Sequence, residues 1–182
     1  NQEFHLALHR YKDGIYSPKG HKYLESYELG VLPTHTYRIG NIVLLKQMLF
    51  QEKQDRLLIK YTLQEADTDI SLELMPLLAF RQIHTLSIAN ENANMSYENA
   101  PQGIRFQMYK DYTPLYLQFS KKVEYRHNPY WYYNFEYIKE KEAEGSRRRI
   151  MRKTICTSNE VAKKERLIPG RREKSKAERL GL

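Results

Sequence analysis

Short runs that alternate apolar and polar residues, each closed by a turn signal, constrain this chain most. Residues 70–74 read Ile-Ser-Leu-Glu-Leu, which puts Ile70, Leu72 and Leu74 on one face of a strand. Residues 34–39 alternate and run into Gly40-Asn41, and residues 42–50 follow at once. That order predicts a hairpin. Further strands are expected over 21–29, 56–63, 77–80, 104–109, 115–119, 122–125 and 131–138. Residues 77–80 are expected to extend the strand over 70–74, with a bulge or an edge at Pro76. The stretch 81–99 loses alternation, and a short helix is expected over 86–90. Strands spaced about 10 to 15 residues apart, with few helical patterns, predict an all-β fold: an antiparallel β-sandwich, incomplete at both ends.

Charge and aromatic content divide the chain into two compositional parts. The 182 residues carry a formal charge of +8, yet residues 141–182 hold 14 Lys/Arg against 6 Asp/Glu, and residues 1–140 hold 16 of each. All 15 Tyr, all 6 Phe and Trp131 lie at or before Tyr137. The body is therefore neutral and Tyr-rich, and the tail is basic and free of aromatics. A neutral body has no charge excess to attract phosphates, so nucleic acid is not the expected partner. The tail's low hydrophobicity and high charge predict disorder, or partial helix that needs a partner. One cysteine, Cys156, excludes a disulfide framework and a Cys-rich zinc site. No run of 18 apolar residues predicts a membrane span, so no membrane partner is expected. The start at Asn1, without Met or a signal-like segment, suggests a cytoplasmic fragment lacking part of its N-terminus.

Few motifs carry chemistry. The chain has no Walker loop, no dinucleotide fingerprint, no His-Glu-x-x-His pair and no Gly-x-Ser-x-Gly elbow. No cofactor is expected. His5 and His9 have helical metal-ligand spacing, but Phe4-His5-Leu6-Ala7-Leu8-His9 alternates as a strand does. No metal site is expected there. Glu25 with Glu28, Glu73, and Glu136 with Glu140 are candidate acid/base carboxylates, but polar strand faces account for them more simply.

The densest feature is Pro129-Tyr130-Trp131-Tyr132-Tyr133-Asn134-Phe135-Glu136-Tyr137. A regular strand would place Trp131, Tyr133, Phe135 and Tyr137 on one face, which reads as core. Tyr130, Tyr132, Asn134 and Glu136 would share the other. That face combines rings with hydrogen-bonding groups and suits sugars, whose C–H patches lie on rings. A second candidate is Ala79-Phe80-Arg81-Gln82-Ile83-His84, leading to Asn90, Asn92 and Asn94. Such a cluster is either a binding edge or a set of capping and turn residues.

Several blocks in order carry a family resemblance. They are Glu3-Phe4-His5-Leu6 with His9-Arg10-Tyr11, then Tyr16-Ser17-Pro18-Lys19-Gly20-His21-Lys22-Tyr23-Leu24, then Thr36-Tyr37-Arg38-Ile39-Gly40. Leu74-Met75-Pro76-Leu77-Leu78-Ala79-Phe80-Arg81 and Trp131-Tyr132-Tyr133-Asn134-Phe135-Glu136-Tyr137 complete the series. Over about residues 3–142 the chain resembles the N-terminal domain of the bacterial and archaeal type glycogen debranching enzyme, an amylo-α-1,6-glucosidase. The resemblance implies a β-sandwich ahead of a separate catalytic α/α-barrel, which this chain does not contain. It therefore implies no catalytic residue here, and no hydrolysis by this chain alone. The implied partners are that barrel and, through the intact enzyme, α-glucan as glycogen, starch or maltooligosaccharides. Arg81 and His84 match a Phe-Arg-x-x-His pattern of the family, and Tyr132 and Asn134 match its Trp-Tyr-x-Asn pattern. With Tyr130 they are the expected substrate-binding or domain-docking residues.

The resemblance stops after Lys141-Glu142, where the chain turns to Gly145-Ser146-Arg147-Arg148-Arg149. Residues 1–142 are thus expected to be the domain. Residues 143–182 are expected to be either a reading-frame artefact or a true basic extension. Two other functions remain: a stand-alone α-glucan-binding module using Tyr130, Trp131 and Tyr132, and a nucleic-acid or partner binder acting through the tail.

Overall fold

A computed structural model describes residues 2–82, 88–138, 153–158 and 166–169. Antiparallel strands dominate it, with single 3-10 turns at Lys12–Gly14, Gly20–Tyr23 and Glu52–Gln54. The all-β expectation holds. The strands are β1 (Phe4–His5), β2 (Leu8–Tyr11), β3 (Ile15–Lys19), β4 (Leu24–Leu29), β5 (Pro33–Ile39), β6 (Ile42–Gln51), β7 (Arg56–Glu65), β8 (Ile70–Glu73), β9 (Leu77–Leu78), β10 (Glu98–Ala100), β11 (Gly103–Phe106), β12 (Leu115–Gln118), β13 (Pro129–Phe135), β14 (Lys153–Ser158) and β15 (Arg166–Pro169).

The chain divides into two compact units. Unit 1 comprises Asn1–Leu8, Pro18–Leu74 and Lys164–Leu182, and unit 2 comprises His9–Ser17 and Met75–Lys163. In unit 1 a four-stranded meander, β4-β5-β6-β7, faces a three-stranded sheet, β1-β15-β8. Gly40 and Asn41 form the expected two-residue turn, with Ile39 opposite Ile42 and Gly40 at φ +57°. This register puts Tyr37, Ile39, Ile42 and Leu44 on one face, where they are buried with Leu6 against Phe4, Ile70 and Leu72. The alternation of residues 70–74 was therefore a true signal of a half-buried strand.

In unit 2 the hairpin-linked sheet β10-β11-β12 buries Ile104 and Phe106. They pack with Leu78 and Met108, and Phe80, Leu117, Tyr125 and Trp131 surround them. The other sheet runs β3-β2-β13-β14-β9.

Three expectations change. The segment 77–80 does not extend the strand before it: β8 belongs to unit 1 and β9 to unit 2, and Pro76 lies where the chain passes between them. Residues 122–125 form no strand, and the Tyr125 ring packs against Tyr97 and Phe106. In the tail, the described residues 153–158 and 166–169 are strands and not helix. β14 pairs with β13 and β9, and β15 pairs with β1 and β8. Composition misjudged it because backbone pairing into the middle of a sheet needs few aromatics of its own. The helix expected over 86–90 falls partly outside the described residues, and residues 88–90 are not helical.

Candidate functional site

β13 starts as its alternation predicts. Tyr130 and Tyr132 share a side, with ring centroids 5.3 Å apart. Trp131 points the other way, into the cluster of Leu78, Ile104, Phe106 and Met108. That placement removes Trp131 as an open sugar platform. The alternation then breaks. Asn134 adopts a left-handed backbone, φ +65°, and the pairing of β13 with β14 shifts between Tyr132 and Phe135. An extra residue in one strand is a β-bulge, and it reverses which side the following residues face. Phe135 therefore joins Tyr132, with ring centroids 5.8 Å apart, and is only 4% exposed. The expected core face of Trp131, Tyr133, Phe135 and Tyr137 does not exist, because Tyr133 and Tyr137 are 52% and 41% exposed. Asn134 is exposed at the bulge rather than in line with Tyr130 and Tyr132.

β2 supplies the rest of the cluster. Tyr11 pairs with Phe135 across the sheet and stacks on it at 5.1 Å. His9 meets the same ring edge-on at 5.2 Å, and Tyr137 stacks at 6.4 Å. Beside them Arg10 and Glu136 form an ion pair at 2.5 Å, and the Glu136 amide donates to the Arg10 carbonyl at 2.9 Å. The Tyr130 hydroxyl donates to Met75 Sδ at 3.6 Å.

Burial raises the Tyr132 phenol well above its usual 10.0, and the Tyr130 and Tyr11 hydroxyls add to the rise. Tyr11 is raised by burial and then by Tyr130. Tyr137 is raised by burial, and the Arg81 guanidinium opposes this. These phenols stay protonated near neutrality. They can donate and accept hydrogen bonds, but they cannot serve as bases there.

The sign of the stability effect follows. A folded-state pKa above the unfolded one means that the native state keeps its proton longer, so stabilisation is full below about pH 10 and is lost as pH rises through the folded values. Alkaline titration should show a late-ionising class of phenolate absorbance, released together with loss of native circular dichroism. Tyrosines that all ionise at the usual phenol value in the folded chain would contradict this.

The other sequence candidates separate cleanly. Arg81 is half-buried, acts on Tyr137, and its Nη1 donates to the Gln82 carbonyl at 3.4 Å. His84 and Glu140 lie outside the described residues. Glu25 is committed to Arg38 at 2.6 Å, and Arg38 reaches Glu65 at 3.6 Å. Glu28 is exposed on β4. Glu73 sits on β8, opposite Arg166 in the register. His5 lies on β1, and His9 lies on β2 against Phe135. Among the described residues, no three His, Cys, Asp or Glu side chains group as metal ligands. Asn90 accepts from the Asn92 amide at 3.1 Å, and Asn94 accepts from the Ser96 amide at 3.0 Å. These are side-chain turns, so the asparagines shape the loop. The structure thus joins Arg81, Tyr130 and Tyr132 to one aromatic cluster through Tyr137 and Phe135.

The family model described as glycogen debranching enzyme N terminal matches residues 1–149. The chain belongs to that family. No curated protein and no solved structure matches it. In this debranching-enzyme N-terminal region, β2, β9, β11, β12 and β13 all lie within the matched residues, and so does every member of the aromatic cluster. Among the described residues, no helix is long and apolar enough to cross a membrane.

Sequence reasoning missed Tyr11, Arg10 and the true side of Phe135. The one available signal was an asparagine inside an aromatic strand, since Asn tolerates the left-handed backbone better than most residues. Asn134→Gly should keep the bulge with little change in stability. Asn134→Val should cost about 1–2 kcal/mol, because a β-branched residue is strained at φ +65°. Urea unfolding of both variants checks this, and equal midpoints would contradict it.

Proposed function

We propose that this chain is the non-catalytic N-terminal domain of a glycogen debranching enzyme, which hydrolyses α-1,6-glucosidic branch points in glycogen- or starch-type glucans. In this reading the domain supports the catalytic α/α-barrel and contacts α-glucan through Arg81, His84, Tyr130, Tyr132 and Asn134. The family match over residues 1–149 carries the reading. The cluster around Phe135 adds to it. Protonated phenols beside the exposed ring of Tyr137 offer rings and hydrogen-bonding groups together, as glucan contact requires. Two of the acid/base candidates, Glu25 and Glu136, have their carboxylates paired with arginines.

The test is direct. The purified chain, incubated with a branched dextrin, should release no glucose. Release of glucose would overturn the non-catalytic assignment. A stand-alone α-glucan-binding module would use the same face, and Tyr137→Ala is the clean probe because its ring is 41% exposed. Loss of maltooligosaccharide binding without loss of fold would mark the ring as a contact.

The domain boundary near residue 142 belongs to the same proposal, with residues 143–182 a frame-shifted segment. The absence of any aromatic after Tyr137 and the basic excess of residues 141–182 support it. Sequencing the DNA around codons 138–150 decides it. A neighbouring frame that continues with acidic, alternating residues supports a shift. No continuing frame means that β14 and β15 belong to a true extension.

A further inference from the structure

The outer face of the β10-β11-β12 sheet lies outside the cluster around Phe135, and no sequence motif pointed to it. Register puts Glu98, Arg105 and Tyr116 directly opposite one another across the three strands. Directly opposite residues share a face of an antiparallel pair. On β11 the alternate residues, Ile104 and Phe106, are 5% and 4% exposed, so Arg105 is on the outer side. Arg105 is held by two partners. Nη1 donates to Glu98 Oε2 at 2.7 Å and Nη2 donates to Gln107 Oε1 at 2.5 Å, while Tyr116 stands opposite Arg105 in the register. Gln107 is fixed in turn, because its Nε2 donates to the carbonyls of Lys110 and Tyr112 at 3.2 and 3.1 Å. The Tyr116 ring is 54% exposed.

Such a row is a preorganised platform. A planar guanidinium held by two hydrogen-bond partners loses little further freedom on binding. Its charge is balanced by Glu98, so a phosphate or carboxylate ligand would meet a carboxylate as well as the arginine. A neutral ligand with many hydroxyls fits better. It can donate to the remaining lone pairs of Glu98, and it can lay C–H surface on the exposed ring of Tyr116.

We infer that the Glu98–Arg105–Tyr116 row on the outer face of this sheet is a second α-glucan-contact site of the domain. This rests on the glucan-acting reading above and adds a site to it.

The experiment is a titration of the isotope-labelled full chain with maltohexaose, followed by amide shifts and repeated on variants. Tyr116→Ala removes an exposed ring, and circular dichroism confirms that the fold remains. Affinity should fall about fivefold, as for loss of one stacking ring. Arg105→Lys should also weaken binding, since an ammonium lacks the planar fork that holds Glu98 and Gln107 together. Shifts should cluster at residues 98, 105 and 116. If Tyr116→Ala and Arg105→Lys bind as the parent does while Tyr137→Ala binds worse, this second site is wrong and the Phe135 face stands. The reverse pattern supports the second site and removes glucan contact from the Phe135 face. No shift at any residue at millimolar maltohexaose overturns both contact sites and leaves the family assignment untouched.

Discussion

Truncating Phe135 to alanine should destabilise the fold by about 3–5 kcal/mol, the range for a buried aromatic. Its ring is 4% exposed and lies against His9, Tyr11, Tyr132 and Tyr137. No other described side chain joins so many rings of the cluster, so the loss combines apolar burial with ring-to-ring contact. Tyr133→Ala is the matched control. That ring, two residues earlier, is 52% exposed, and its removal should change stability by about 0.5 kcal/mol or less. Urea unfolding of the pair measures both effects. Had β13 alternated without a bulge, both rings would be core and both variants would be costly. Equal, large losses would therefore refute the bulge itself.

Gly103→Ala should be nearly as damaging, at about 3 kcal/mol, the upper part of the range for overpacking. A Cβ built on Gly103 would stand 1.9 Å from the Leu117 carbonyl oxygen and 2.8 Å from its carbon. Both atoms are backbone, so no side-chain rotation relieves the clash. The β11–β12 pair must open instead, and that pair carries Ile104, Phe106 and Leu117 into the core of unit 2. Hydrogen exchange at β12 should accelerate alongside the stability loss. An unchanged urea midpoint would show that the strands approach less closely than described. Since Arg105 and Tyr116 sit on these same strands, the variant should also lose whatever binding the outer face supports.

The sequence was most legible where one face of a strand is wet and the other dry. Ile70 and Leu72 on β8, and Tyr37, Ile39, Ile42 and Leu44 across the Gly40-Asn41 turn, went where their period-two pattern sent them. Of the residues that the resemblance singled out, Tyr130 and Tyr132 have their rings in one cluster with Phe135, and the Arg81 guanidinium acts on Tyr137. β10 was not legible, because Glu98–Ala100 is a three-residue strand that pairs through backbone and has no alternation to read. Nor were β14 and β15, short strands with one basic residue each, set in a basic tail that resembles a solvated segment. The platform on β10, β11 and β12 was invisible because Glu98, Arg105 and Tyr116 are far apart in the chain and meet only through strand register.

By itself, then, the amino-acid sequence determined that this chain is antiparallel β, where most strands run, and which family it resembles. These follow from local periodicity and from ordered motifs that need no knowledge of the partners. Tertiary structure alone decided which side each aromatic takes beyond Asn134. It also decided which carboxylates arginines neutralise, and how the strands divide between two cores. A single left-handed residue reverses every later side chain in a strand, and a pairing register joins residues that sequence spacing keeps apart. Both are settled by the partner strand and not by the residues themselves.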